Sequence, residues 1–188
     1  MNTTNPHRRL FLGIALSGEV LSNLVKWRNT NPILSGIRWI PPQNLHITVY
    51  FFGNVPEERM ENLISLIAIG LKNIPCFDLE FDRYVYAPHP REARMIWARY
   101  KKMQVFRDLA TRIHELYLQI SPQQQRKSPI PHITLARLQD FSDPAKIDLK
   151  SSLSPRILSV KELILWESSL RPEGSVYEVI SRFPLSRV

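Results

Sequence analysis

The stretches "LHITVYFFG" at 45–53 and "PHITLARLQ" at 131–139 carry His-Ile-Thr twice in a chain of 188 residues. Six threonines put Thr two places after a given His about 3% of the time, so two hits among five histidines come to roughly one per cent. Each copy closes a similar run. From Phe11 to His46 is 35 residues, and from Met95 to His132 is 37. Both intervals read strand, helix, connection, then a strand bearing His-x-Thr. The chain therefore reads as two similar α+β lobes, and parallel contributions from the two place the motifs opposite each other across a shared cleft.

The local signals support this order. Seven apolar residues, Leu10 to Leu16, suit a buried strand; with Arg8 and Arg9 in front they resemble an export signal, but Glu19 follows closely and no small-x-small cleavage site is present. Ser17 can cap a helix running to about Asn29, and "IRWI" is a short extended piece stopped by Pro41 and Pro42. "NLHITVYFFGNV" is a strand closed by Gly53 and Asn54. Pro56 at a first helical position, followed by Glu57 and Glu58, opens a helix with Met60, Leu63, Ile64, Ile67 and Leu71 as its buried stripe. "FDLEFDRYVYAP" and "ARMIWARYK" read as strands joined by a turn at "HPRE". Phe106, Leu109, Ala110, Ile113, Tyr117 and Ile120 form another amphipathic helix. "QQQRKSP" and "DFSDPAKIDLKSSLSP" are loops, and "ILSVKELILWESSL" with "SVYEVISRFPL" reads as a final hairpin. No Gly/Ser linker divides the chain, so 1–188 is expected to be a single bilobal domain.

Composition narrows the function classes. The net charge of +8 and pI near 9.9 favour an anionic partner, with RNA or a nucleotide ahead of a membrane. Cys76 is the only cysteine, which leaves no internal disulfide or cysteine metal cage and suits a reducing cytoplasm. No Gly-x-Ser-x-Gly elbow or Walker-type loop is present.

On a strand, His46 and Thr48 share one face while Ile47 and Val49 take the other, and the same holds for His132 and Thr134. Imidazole takes or gives a proton near neutral pH, and a threonine hydroxyl donates to a phosphoryl oxygen. Two histidines around one phosphorus suit in-line displacement, one activating the attacking oxygen and the other protonating the departing one. Two other readings compete: strands with satisfied polar edges, and a zinc site. No carboxylate or third histidine stands at ligand spacing beside either motif, so no metal is expected. His7, His89 and His114 read as surface or structural residues.

With those motifs placed, the chain resembles the 2H phosphoesterases, specifically the RNA 2′,3′-cyclic phosphodiesterase group, also called 2′-5′ RNA ligase-like proteins. "RLFLGIAL", "IRWIPPQNLHITVYFFGNV", "PHITLAR" and "LWESSLRPEGSVYEVISRFPL" carry the resemblance in order along nearly the whole chain. It implies two ferredoxin-like lobes in a pseudo-twofold arrangement, with antiparallel sheets facing a central V-shaped cleft and helices outside. It also implies opening of RNA 2′,3′-cyclic phosphate ends to 2′-phosphates without metal or cofactor, and 2′-5′ RNA joining in reverse.

By the same resemblance His46 is the proton donor to the leaving 3′-oxygen and His132 the acceptor that activates water. Thr48 and Thr134 hold phosphoryl oxygens, and Arg137 takes a phosphate-contacting place. Strict alternation turns Arg137 to the opposite face, so it reaches the phosphate only if the strand bulges or ends there. The chain departs from the resemblance at Val49 and Tyr50, where Leu and a basic residue are expected. Alternation puts Tyr50 on the active face, where it can stack on a base or cap the wall. Phe51, the matching position after the first motif, is a further candidate substrate contact, although alternation leaves it to pack. Arg126 and Lys127, in the loop before the second motif, are candidate contacts to the RNA backbone. The expected setting is a cytoplasmic monomer acting on RNA ends, tRNA fragments included. A non-catalytic RNA-binding module and a phosphodiesterase of small cyclic nucleotides are the alternatives.

Overall fold

The computed structural model describes residues 6–31, 35–89, 92–122, 129–139, 147–151, 153–172 and 174–186. Among them lie nine strands and three α-helices: β1 (His7–Ala15), α1 (Gly18–Asn29), β2 (Ile37–Trp39), β3 (His46–Pro56), α2 (Met60–Leu71), β4 (Phe77–Ala87), β5 (Met95–Tyr100), α3 (Gln104–Tyr117), β6 (His132–Leu138), β7 (Ile157–Val160), β8 (Glu162–Arg171) and β9 (Gly174–Pro184). The strands form one strongly curled antiparallel sheet in the order β7-β4-β5-β6-β3-β1-β8-β9, with β2 added beside β6. This is the α+β class the sequence implies, with few helices.

The two halves join at a narrow seam. Strands β3 and β6 pair through one residue couple, Ile47 with Ile133, and both side chains are fully buried. On one side of the seam lie β1, β8 and β9; on the other lie β5, β4 and β7. The apolar run in β1 makes it a central strand, paired with β3 and β8 and buried at Leu10, Phe11, Leu12 and Ile14. Gly13 is required there, because a Cβ would stand 2.6 Å from the backbone oxygen of Ile47.

Each lobe's leading helix crosses to cover the other lobe. Helix α1 follows β1, is capped by the Ser17 hydroxyl, and stacks Trp27 on Tyr84 of β4 with ring centroids 4.0 Å apart. The Trp27 indole N–H donates to the backbone oxygen of Asp148. Helix α3 follows β5 and sets Tyr117 edge-on against Phe52 of β3 at 4.9 Å. It also packs on α2, where Gly70 leaves room for Ile113 and Leu116.

Two sequence expectations change. The α-helix expected from Pro56 starts at Met60, after a 3-10 turn over Glu57–Arg59 that Pro56 caps. The segment read as the first arm of a final hairpin divides at Lys161. Its first part, β7, pairs with β4, and its second part, β8, pairs with β1 and β9. Only the polar pair Lys161-Glu162 marks the crossover from one end of the sheet to the other. No helix among the described residues is long and apolar enough to cross a membrane.

Candidate active site

Because Ile47 and Ile133 point into the core at the seam, the residues flanking them point the other way. His46, Thr48, His132 and Thr134 therefore line one cleft, together with Arg9, Phe11, Asn44, Phe51, Arg137, Ser168 and Tyr177. The antiparallel register brings Thr48 toward His132 and Thr134 toward His46.

Both imidazoles are held in the same way. Nδ1 of His46 lies 2.8 Å from the carbonyl oxygen of Asn44, and Nδ1 of His132 lies 2.7 Å from that of Ile130. A carbonyl only accepts, so each Nδ1 carries a proton and donates it. In the neutral ring this leaves Nε2 as the free base. Nε2 of His46 meets the Thr48 hydroxyl at 3.1 Å, and the hydroxyl donates when the ring is neutral. The Asn44 side chain in turn donates to the backbone oxygen of Ser175, 2.7 Å away at the start of β9.

Burial holds both histidines below the ordinary value of 6.5, partly opposed by the backbone bonds. His46 is lowered further by the charge His132 can carry. The two rings thus resist being charged together, which suits a pair that takes one proton and gives another.

Aromatic rings back both imidazoles. Phe11 on β1 lies 4.8 Å from the His46 ring, and Trp97 on β5 stacks on His132 at 3.7 Å. Sequence reasoning missed this pair. Their signal is a constant offset: each stands 35 positions before its histidine, 11 to 46 and 97 to 132. Tyr177 adds an edge-on contact to His46 at 5.2 Å.

Beyond the threonines both motif strands bulge, and the bulges decide which side chains reach the cleft. In β6 the register against β5 skips Leu135, so Leu135 and Ala136 are both buried and Arg137 turns out to the cleft wall. In β3 the register against β1 skips Val49. Tyr50 and Phe51 consequently exchange the places that alternation gave them. Tyr50 turns to the helix side, 2.8 Å from Nδ1 of His114 on α3, with its hydroxyl pushed up to about 12 by burial. Phe51 faces the cleft, 42% exposed, with the Arg9 guanidinium 4.8 Å over its ring. Arg9 also donates to the Ser168 hydroxyl.

His114 is buried, as a structural residue should be. Arg126 and Lys127 lie outside the described residues. Among the described residues, no group of three or more His, Cys, Asp or Glu side chains is gathered to hold a metal.

Comparison with known proteins places this chain in a class. The family model described as "2'-5' RNA ligase superfamily" matches residues 26–171. A crystal structure of TT0787 from Thermus thermophilus superposes with a TM-score of 0.83 at 27% identity, covering 94% of this chain and 97% of that one. The structure of Escherichia coli LigT complexed with phosphate gives 0.74 at 25% identity over 96% and 99%. A Methanocaldococcus jannaschii protein named RNA 2′,3′-cyclic phosphodiesterase is 27% identical, over 93% of this chain and 99% of its own. A Bacillus subtilis protein of the same name is 26% identical over 99% and 100%. The chain belongs to the 2′-5′ RNA ligase superfamily of 2H phosphoesterases.

Proposed function

We propose that the protein opens the 2′,3′-cyclic phosphate end of an RNA to a 2′-phosphomonoester by two-histidine acid–base catalysis. The observation that carries the reading is the matched pair His46 and His132, each with Nδ1 bonded to a carbonyl two residues earlier and both facing one cleft. The names of the full-length relatives support the substrate class.

In this reading His132 Nε2 takes a proton from water as the water oxygen bonds to phosphorus. The bond from phosphorus to the 3′-oxygen breaks, and His46 gives its Nε2 proton to that oxygen. The phosphate stays on the 2′-oxygen. Thr48 and Thr134 donate to the non-bridging oxygens, and Arg137 balances the charge that builds on them. Nothing in these steps calls for a metal. If the 5′-hydroxyl of a second RNA replaces water beside His132, the same geometry makes a 2′-5′ bond. RNA ends such as those of tRNA fragments are the substrates we assign, with a monomeric, cytoplasmic protein; the single cysteine and basic charge fit that setting.

The test is incubation with a cyclic-phosphate-ended oligonucleotide in EDTA, with the product isomer identified. A 2′-phosphate with a free 3′-hydroxyl is expected. A 3′-phosphate would reverse the roles at the ribose, and turnover only with added metal would move the protein to another class.

A further inference from the structure

The histidine cleft does not end at Arg137. A groove of about 440 Å³ opens from it between β2, the turn Pro42–Asn44 and the start of β9. Ile40, Asn44, Arg137, Ser175 and Tyr177 line both spaces, so the two are continuous. The groove's far end is built by Arg38, Trp39, Pro41, Gln43 and Val176.

Its chemistry is that of a nucleotide site. Arg38 stands opposite Arg137 in the β2–β6 register, and the ion pairs of the described residues engage neither. No acidic side chain is among the described residues that line the groove, so within them two guanidiniums face it without counter-charge. Trp39, Ile40, Pro41 and Val176, the last 42% exposed, supply an apolar wall. Gln43 adds both a donor and an acceptor. The volume falls within the range of small-ligand sites, roughly 300–1,000 Å³.

We propose that this groove is a second nucleotide subsite, which takes the residue preceding the cyclic-phosphate end and binds its phosphodiester through Arg38. The inference rests on the phosphodiesterase reading above. A terminal ribose whose 2′- and 3′-oxygens are held between the histidines leaves only its 5′-oxygen to continue the chain. Among the described residues the groove offers a continuous basic path away from that point. Arg38 carries the charge, and the apolar wall meets a base face without selecting its identity.

The probes are adenosine 2′-phosphate and an adenylyl dinucleotide ending in a 2′-phosphate, bound to the wild type, Arg38→Ala and Arg38→Glu, with turnover of the matching cyclic phosphates measured alongside. The wild type is expected to bind the dinucleotide about tenfold more tightly, the size of one charge-assisted contact. Both variants should lose that preference while keeping their affinity for the mononucleotide. The log–log salt slope for the dinucleotide should fall by about 0.7. Equal affinity of the wild type for both probes, or equal weakening of both in the variants, overturns the subsite. A dinucleotide preference that depends on Arg38 without any turnover would keep the subsite and sink the phosphodiesterase reading.

Discussion

Trp97 lies flat on the imidazole of His132, with ring centroids 3.7 Å apart and planes inclined at 24°. The bond from Nδ1 to Ile130 fixes one edge of the imidazole, and the indole fixes its face. The ring is left no rotation that keeps both contacts. Removing the indole should therefore misplace the base without removing it. Trp97→Ala is expected to lower kcat by about 10–100-fold with little change in KM, while Trp97→Phe, which keeps a flat ring, retains most activity. Steady-state kinetics on a cyclic mononucleotide separates the two. An unchanged kcat in Trp97→Ala would leave the indole a packing residue only.

The exchange of Tyr50 and Phe51 across the bulge at Val49 assigns them different losses. Tyr50→Phe deletes the bond to His114 beneath the sheet and should cost about 1 kcal/mol of stability, with KM unchanged. Phe51→Ala removes an exposed ring from the cleft wall and should raise KM with little change in stability. Thermal melts and KM values measured on both variants check the pair. A KM rise in Tyr50→Phe would return Tyr50 to the cleft.

Burial lowers both histidines from 6.5, and the sign of the pH dependence follows. Below 6.5 the unfolded chain binds protons that the folded chain refuses, so stability is greatest above that pH and declines on acidification until the folded values are passed. Activity needs His46 protonated and His132 neutral, so the bell of kcat/KM, which reports the free protein, should peak below pH 6.5. The bell for kcat should sit higher, because the bound phosphate favours the charged imidazolium. Rate profiles and melts from pH 5 to 8 measure both. A kcat/KM bell centred above 7, or stability rising on acidification, contradicts the burial seen here.

How far the sequence could be read depended on how local each feature is. His46, Thr48, His132 and Thr134 were legible because two-residue alternation holds from His to Thr in both strands. It fails one residue later. The bulges at Val49 and Leu135 arise from how β3 and β6 fit β1 and β5, and no glycine or proline stands at or next to either bulged residue in its own strand. Arg137 was legible only as a conditional. Tyr50 was read on the wrong face, and Phe51, a candidate contact that alternation turned away from the cleft, lines it. Phe11 and Trp97 reach their histidines only through strand pairing, though the shared offset was there to find. At Lys161 the chain changes partners, and the polar pair Lys161-Glu162 breaks the pattern without telling where the next strand goes, since β-propensity says that a strand forms and not which edge it joins. The crossing of α1 and α3 to opposite lobes is likewise a tertiary choice, invisible to helical periodicity.

The central claim is that one histidine from each lobe moves one proton. Turnover of a 2′,3′-cyclic-phosphate-ended oligonucleotide by His46→Ala and His132→Ala, each verified as folded, tests it most directly. Each substitution should cost about 10²–10⁴-fold in kcat, roughly 3–5 kcal/mol of barrier, and each should flatten one limb of the pH profile. Near-normal turnover by either variant would contradict the two-histidine account.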